Sequence, residues 1–120
     1  MKKGIIVLFT GLILVACQKN TEPVIYDQDD LTIRLLEVED TRCPEDAMCA
    51  WEGNATVMMR GEHNGNVEDF TLNTYGSDEY PNKIDLWEFE ITLNDLTPYP
   101  KTANDEVKLK DYDVSLTVQK

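Results

Sequence analysis

Trp87-Glu88-Phe89-Glu90-Ile91-Thr92-Leu93-Asn94 decides the fold. Apolar and polar residues alternate through this octet, and a period of two puts every second side chain on the same face of a strand. Trp87, Phe89, Ile91 and Leu93 form an apolar face, and Glu88, Glu90, Thr92 and Asn94 a wet one. A strand with one apolar face has to be covered on that side alone. The same pattern recurs along the chain.

Toward the N-terminus, Leu31, Ile33 and Leu35 share one phase while Leu36 and Val38 take the other, which predicts a bulge near Leu35. Ala55, Val57 and Met59 alternate with Thr56, Met58 and Arg60; Phe70 and Leu72 alternate with Asp69, Thr71 and Asn73. Between these runs stands Asn64-Gly65, a pair that accepts the positive φ angles of a type I′ turn, so Asn54 to Thr74 reads as a hairpin. Toward the C-terminus, Val107 and Leu109 alternate with Lys108 and Lys110, and Tyr112, Val114, Leu116 and Val118 with Asp113, Ser115, Thr117 and Gln119. No helical period appears beyond the first 17 residues.

One-faced strands bury their apolar sides by packing two antiparallel sheets together. The expectation is an all-β fold over residues 31–120, a small antiparallel β-sandwich of immunoglobulin-like layout with six to seven strands. A small closed barrel is the alternative. The 120 residues leave room for one folded unit.

Twenty-three acidic residues against eleven Lys and Arg give a net charge of −12. A surface so charged repels a nucleic acid backbone, which excludes DNA or RNA as partner. With 42% hydrophobic residues, the composition also excludes disorder across the whole chain.

Lys2 and Lys3 precede an apolar run from Ile5 to Val15, followed by Ala16 and Cys17. This is the layout of an exported leader. Eleven helical residues rise about 16 Å, against a hydrocarbon core of roughly 30 Å, so the run is too short for a permanent span. Leu14-Val15-Ala16-Cys17 resembles the lipobox of bacterial lipoproteins. The resemblance implies a signal peptide over residues 1–16, a diacylglyceryl group on the Cys17 sulfur and a membrane-bound mature chain. Its charge would be −14, since Lys2 and Lys3 leave with the leader. Gln18 follows the cysteine where Asp would signal retention at the inner membrane, which by analogy favours an outer-membrane location in the cell envelope. Gln18 to Pro23 is polar and aperiodic, so residues 17–30 read as a flexible tether.

Three cysteines is an odd number for an exported protein; with Cys17 assigned to lipid, Cys43 and Cys49 remain as a disulfide pair in an oxidising compartment. They lie in Arg42-Cys43-Pro44-Glu45-Asp46-Ala47-Met48-Cys49-Ala50-Trp51-Glu52-Gly53, between the first two strands. Bridging them closes a loop of seven residues. Trp51 is expected to pack on the disulfide or the sheet edge, and Gly53 to let the chain turn into its strand. Two uses are open: a structural staple, or a rigid loop presenting Arg42, Pro44, Glu45, Met48 and Trp51 to a protein or glycan, a protease inhibitor being the sharper version.

The Arg-Cys-Pro, second Cys and Trp-x-Gly, together with Leu96-Thr97-Pro98-Tyr99-Pro100, resemble a group of small bacterial lipoproteins, many of them from Bacteroidota. That resemblance implies a β-sandwich and no particular activity.

Catalytic and metal constellations are weak. A structural zinc site needs four ligands and the sequence has one histidine, His63, read as a solvated turn residue beside Asn64-Gly65. No nucleophile elbow surrounds Ser77 or Ser115. Asp27-Gln28-Asp29-Asp30 opens like an EF-hand loop, yet Thr32 and Val38 stand where Gly and Glu are required. Asp78-Glu79 and Asp105-Glu106 read as solvated acidic loops, and Glu88 and Glu90 as a wet strand face opposite Lys108 and Lys110. Tyr75, Tyr80 and Tyr99 offer candidate stacking surfaces for sugars. The expectation is a non-catalytic envelope protein, structural or binding, with no cofactor and no metal.

Overall fold

The computed structural model describes residues 22–102 and 106–120. Seven strands follow in chain order: β1 (Val24–Gln28), β2 (Leu31–Asp40), β3 (Ala55–His63), β4 (Asn66–Asn73), β5 (Lys83–Leu86), β6 (Phe89–Thr97) and β7 (Asp113–Gln119). They form two antiparallel sheets, β1-β2-β3-β4 and β5-β6-β7. The inner faces carry the expected alternation. Leu31, Ile33 and Leu35 of β2, Ala55, Val57 and Met59 of β3, and Phe70 and Leu72 of β4 are buried against Leu86, Phe89, Ile91, Leu93 and Leu96 of the second sheet. Fully burying side chains of this size contributes about 1.5–3 kcal/mol each, which holds the sheets face to face.

Asn64 and Gly65 adopt φ of 50° and 85° and close the β3–β4 hairpin with His63 opposite Asn66. The bulge in β2 falls between Leu35 and Glu37, leaving Leu36 supernumerary. A second lies in β6 between Leu93 and Asp95.

Four expectations are corrected. Val24–Gln28 is a strand rather than tether: Asp29 and Asp30 both take positive φ and fold it back onto β2, and Pro23 O accepts a hydrogen bond from Leu35 N. Trp87 is not part of β6; with φ of 56° it forms, with Glu88, the two-residue turn between Leu86 and Phe89. Its indole stands over Gly61, whose missing Cβ would lie 3.4 Å from the ring. Leu109–Asp111 is a short 3₁₀ turn, and Val107 is not in a strand. Glu88 and Glu90 do not face Lys108 and Lys110; they meet Lys120 at 3.2 Å and Lys83 at 3.8 Å. The leader, Cys17 and the proximal tether lie outside the described residues.

Candidate functional site

The cysteine loop is an extension of the β2–β3 hairpin. Thr41 N donates to Asn54 O at 2.8 Å and Cys43 N to Glu52 O at 2.9 Å, carrying the strand pairing past the end of the sheet. Gly53 permits this. Its φ is 76°, and a Cβ there would lie 2.3 Å from Thr41 O and 2.9 Å from Arg42 Cα, so no other residue fits. Beyond the paired segment Cys43 and Cys49 are joined, with Cα atoms 6.0 Å apart.

Arg42 is a correction to the presented-loop expectation. It is only 5% exposed and faces the protein interior. Nε and Nη2 donate to Asp40 Oδ1 and Oδ2 at 2.9 and 2.7 Å, Nη1 donates to Leu96 O at 2.5 Å, and Nη2 also to Pro98 O at 3.0 Å. The guanidinium lies 4.1 Å from the centre of the Tyr99 ring, and Tyr112 donates its hydroxyl to Asp40 Oδ2 at 3.2 Å. Glu45 N and Asp46 N donate to Pro100 O and Lys101 O. The Arg-Cys-Pro segment and Leu96–Pro100 therefore form one unit tying the two sheets at this end. Burial alone would raise the Asp40 carboxyl; hydrogen bonds from the Arg42 side chain and backbone, the nearby positive charge and the Tyr112 hydroxyl outweigh it and hold the group below its ordinary value of 3.8. Burial likewise opposes the charge on Arg42, and the Asp40 contacts reverse that and raise its pKa.

The other loop residues separate. Pro44 is half-buried, Glu45 is exposed, and Met48 projects fully into solvent. Trp51 is not buried at the sheet edge; it is 74% exposed. Together with Tyr75 and Tyr80 it lines a cleft of about 620 Å³ at the end of the first sheet, with Glu39 and Glu79 at its margins. The two tyrosine rings meet edge to face, 6.3 Å apart at 86°. Met48 is outside this lining.

Asn54 builds the cleft. Its Oδ1 accepts from Tyr75 N at 3.0 Å, and its Nδ2 donates to Asn73 Oδ1 at 3.0 Å, which fastens the β2–β3 loop to the β4–β5 loop. Ala55 N donates to Thr74 Oγ1, Thr74 N to Ala55 O, and Asn73 N to Pro81 O, so the loop bearing both tyrosines is pinned at each end. Ser77 Oγ accepts from Tyr80 N at 3.0 Å. Nothing in the local sequence marks Asn54 for this role; its signal is only its position beside Gly53 at a strand start.

His63 is not solvated. It is 8% exposed, with Nδ1 2.9 Å from Asp30 O, Asn64 Nδ2 3.2 Å from Nε2, and the Phe89 ring edge-on at 4.9 Å. Among the described residues, no group of three or more His, Cys, Asp or Glu side chains is placed to hold a metal ion. Asp27–Asp30 forms the end of β1 and its turn. Tyr99 stacks on Arg42 and is not part of the aromatic cleft.

The chain matches no family model, no curated protein and no solved structure.

Proposed function

We propose that this chain is a lipid-anchored lipoprotein of the bacterial envelope, held to the outer membrane through Cys17, whose β-sandwich is a non-catalytic module that binds a protein partner at the Trp51 cleft. The observation that carries the binding role is the exposure of Trp51 on a loop immobilised by a disulfide, a required glycine and Asn54. A large indole left in water by a rigid scaffold loses little ordering entropy on binding. Trp and Tyr in such positions, with Met48 nearby in sequence, have the composition of protein-recognition hot spots. The anchoring half of the reading rests on the lipobox resemblance.

Two measurements test it. Mass spectrometry of protein recovered from membranes is expected to show a chain beginning at acylated Cys17; a chain beginning at Met1 overturns the anchor. A photo-crosslinking amino acid in place of Ala50, beside the intact Trp51, is expected to give a discrete protein adduct in cells, while the same probe at the exposed Val67 does not. Equal labelling at both positions, or an adduct removed by glycosidases, overturns the protein-binding reading.

A further inference from the structure

We infer that the cleft receives a basic side chain, lysine or arginine, projecting from the partner. This rests on the binding role proposed above and names the chemistry recognised. Three observations converge on it.

The first is the fate of the neutral polar groups. A sugar is held by side-chain amides and hydroxyls around an aromatic platform, yet the amide and aliphatic hydroxyls lining this cleft, those of Asn54, Thr41, Thr56 and Ser77, are engaged within the fold. Thr41 donates its hydroxyl to Asn54 O at 2.7 Å, Thr56 donates to Asn73 Oδ1 at 3.2 Å, both ends of the Asn54 amide are occupied, and Ser77 Oγ holds the Tyr80 amide.

The second is the charge that remains. Glu39 and Glu79 line the cleft, and among the described residues neither is in an ion pair, whereas Arg34, Arg60, Lys83 and Lys120 are matched to other acids. No Lys or Arg lines the cleft. Two unmatched carboxylates in a cleft also lined by one indole and two phenols attract a cation by charge and by ring quadrupole together. The net charge of −12 steers a basic partner toward the protein from a distance.

The third is that the same protein already holds an arginine this way. Arg42 stacks over the Tyr99 ring and donates to the Asp40 carboxylate along its edge. The cleft offers an incoming guanidinium or ammonium the same pair of surfaces, at a site open to solvent.

The test follows the indole N–H resonances of Trp51 and Trp87 in the intact lipoprotein, solubilised in a nonionic detergent, during titration with a tetra-arginine peptide. Trp51 is expected to move and Trp87 to stay. A tetra-citrulline peptide of the same shape is expected to give no shift. Replacing both acids, Glu39→Gln with Glu79→Gln, is expected to weaken binding by roughly fivefold, and raising the salt tenfold to weaken it further. These exposed changes leave the core untouched.

Equal shifts with citrulline, or no shift of Trp51 with tetra-arginine, overturn the inference. A Trp51 shift with chitobiose but not with tetra-arginine assigns the cleft to glycans and overturns it too. If the crosslink from position 50 persists without an arginine response, the binding role stands and the cation is wrong. If crosslink and shift are both absent, both fall.

Discussion

Arg42 donates through Nη1 to the carbonyl of Leu96, a residue 54 positions away in the other sheet, while gripping Asp40 with Nε and Nη2. Truncating one member of a buried pair strands the other charge. Arg42→Met is therefore expected to cost about 3 kcal/mol, read from urea unfolding. The equally short Arg60–Asp69 pair is exposed on both sides, and Asp69→Asn is expected to leave the urea midpoint almost unmoved. Similar losses for the two variants would refute the assignment of the buried pair as the joint between sheets.

Protonating Asp40 should loosen the same joint. Its folded pKa lies below the ordinary value, so its contribution is complete above about pH 5 and disappears as the pH falls through the folded value. The stability gap between wild type and Asp40→Asn is expected to narrow as the pH is lowered from 6 into the acid range. A gap independent of pH across that range would contradict the ion pair.

Two glycines with positive φ predict unequal outcomes. Gly65→Ala meets nothing within 4 Å and incurs only the backbone penalty, about 1 kcal/mol. Gly53→Ala adds a collision with Thr41 O and Arg42 Cα and is expected to cost about 3 kcal/mol. Thermal unfolding of both variants decides this, and equal costs would mean that the hairpin extension yields easily.

Opening the disulfide affects the site more than the core. Cys43→Ala with Cys49→Ala frees a loop of seven residues, worth roughly 2 kcal/mol in chain entropy. The sheets are expected to remain folded by circular dichroism while the crosslink from position 50 falls away. An undiminished crosslink would show that Asn54 and Gly53 suffice to hold the Trp51 loop.

The sandwich was readable wherever alternation was long or the turn chemistry overt. Asn64-Gly65 announces its hairpin. Asp29-Asp30, both at positive φ, and Trp87-Glu88, with Trp87 alone at positive φ, also reverse the chain in two residues, but such pairs carry no strong turn signal, which hid β1 and β5 and extended β6 backward over Trp87. Val107 and Leu109 alternate in letters only; a 3₁₀ turn formed there instead. The cysteine loop stood out, but its inside and outside did not. A charge is ordinarily exposed and a tryptophan largely covered, and here Arg42 and Trp51 reverse that order because the carbonyls of Leu96 and Pro98 receive the guanidinium. Glu39 and Glu79 were two acids among twenty-three, and only the folded chain brings them to the same cleft.

The extra residue in β2 has a consequence for its two successive acids. With Leu36 unmatched, Asp40 falls opposite Ala55 on the inner side and Glu39 opposite Thr56 on the outer. Were Leu36 instead paired with Met58 and the ladder continued without the bulge, Glu39 would fall opposite Ala55 and the two acids would exchange, turning the longer one inward beneath the guanidinium and the shorter one out to the aromatic rim. The division of labour between these neighbours is thus set by register rather than by their chemistry, and drawing Leu36 into the ladder would be enough to undo it.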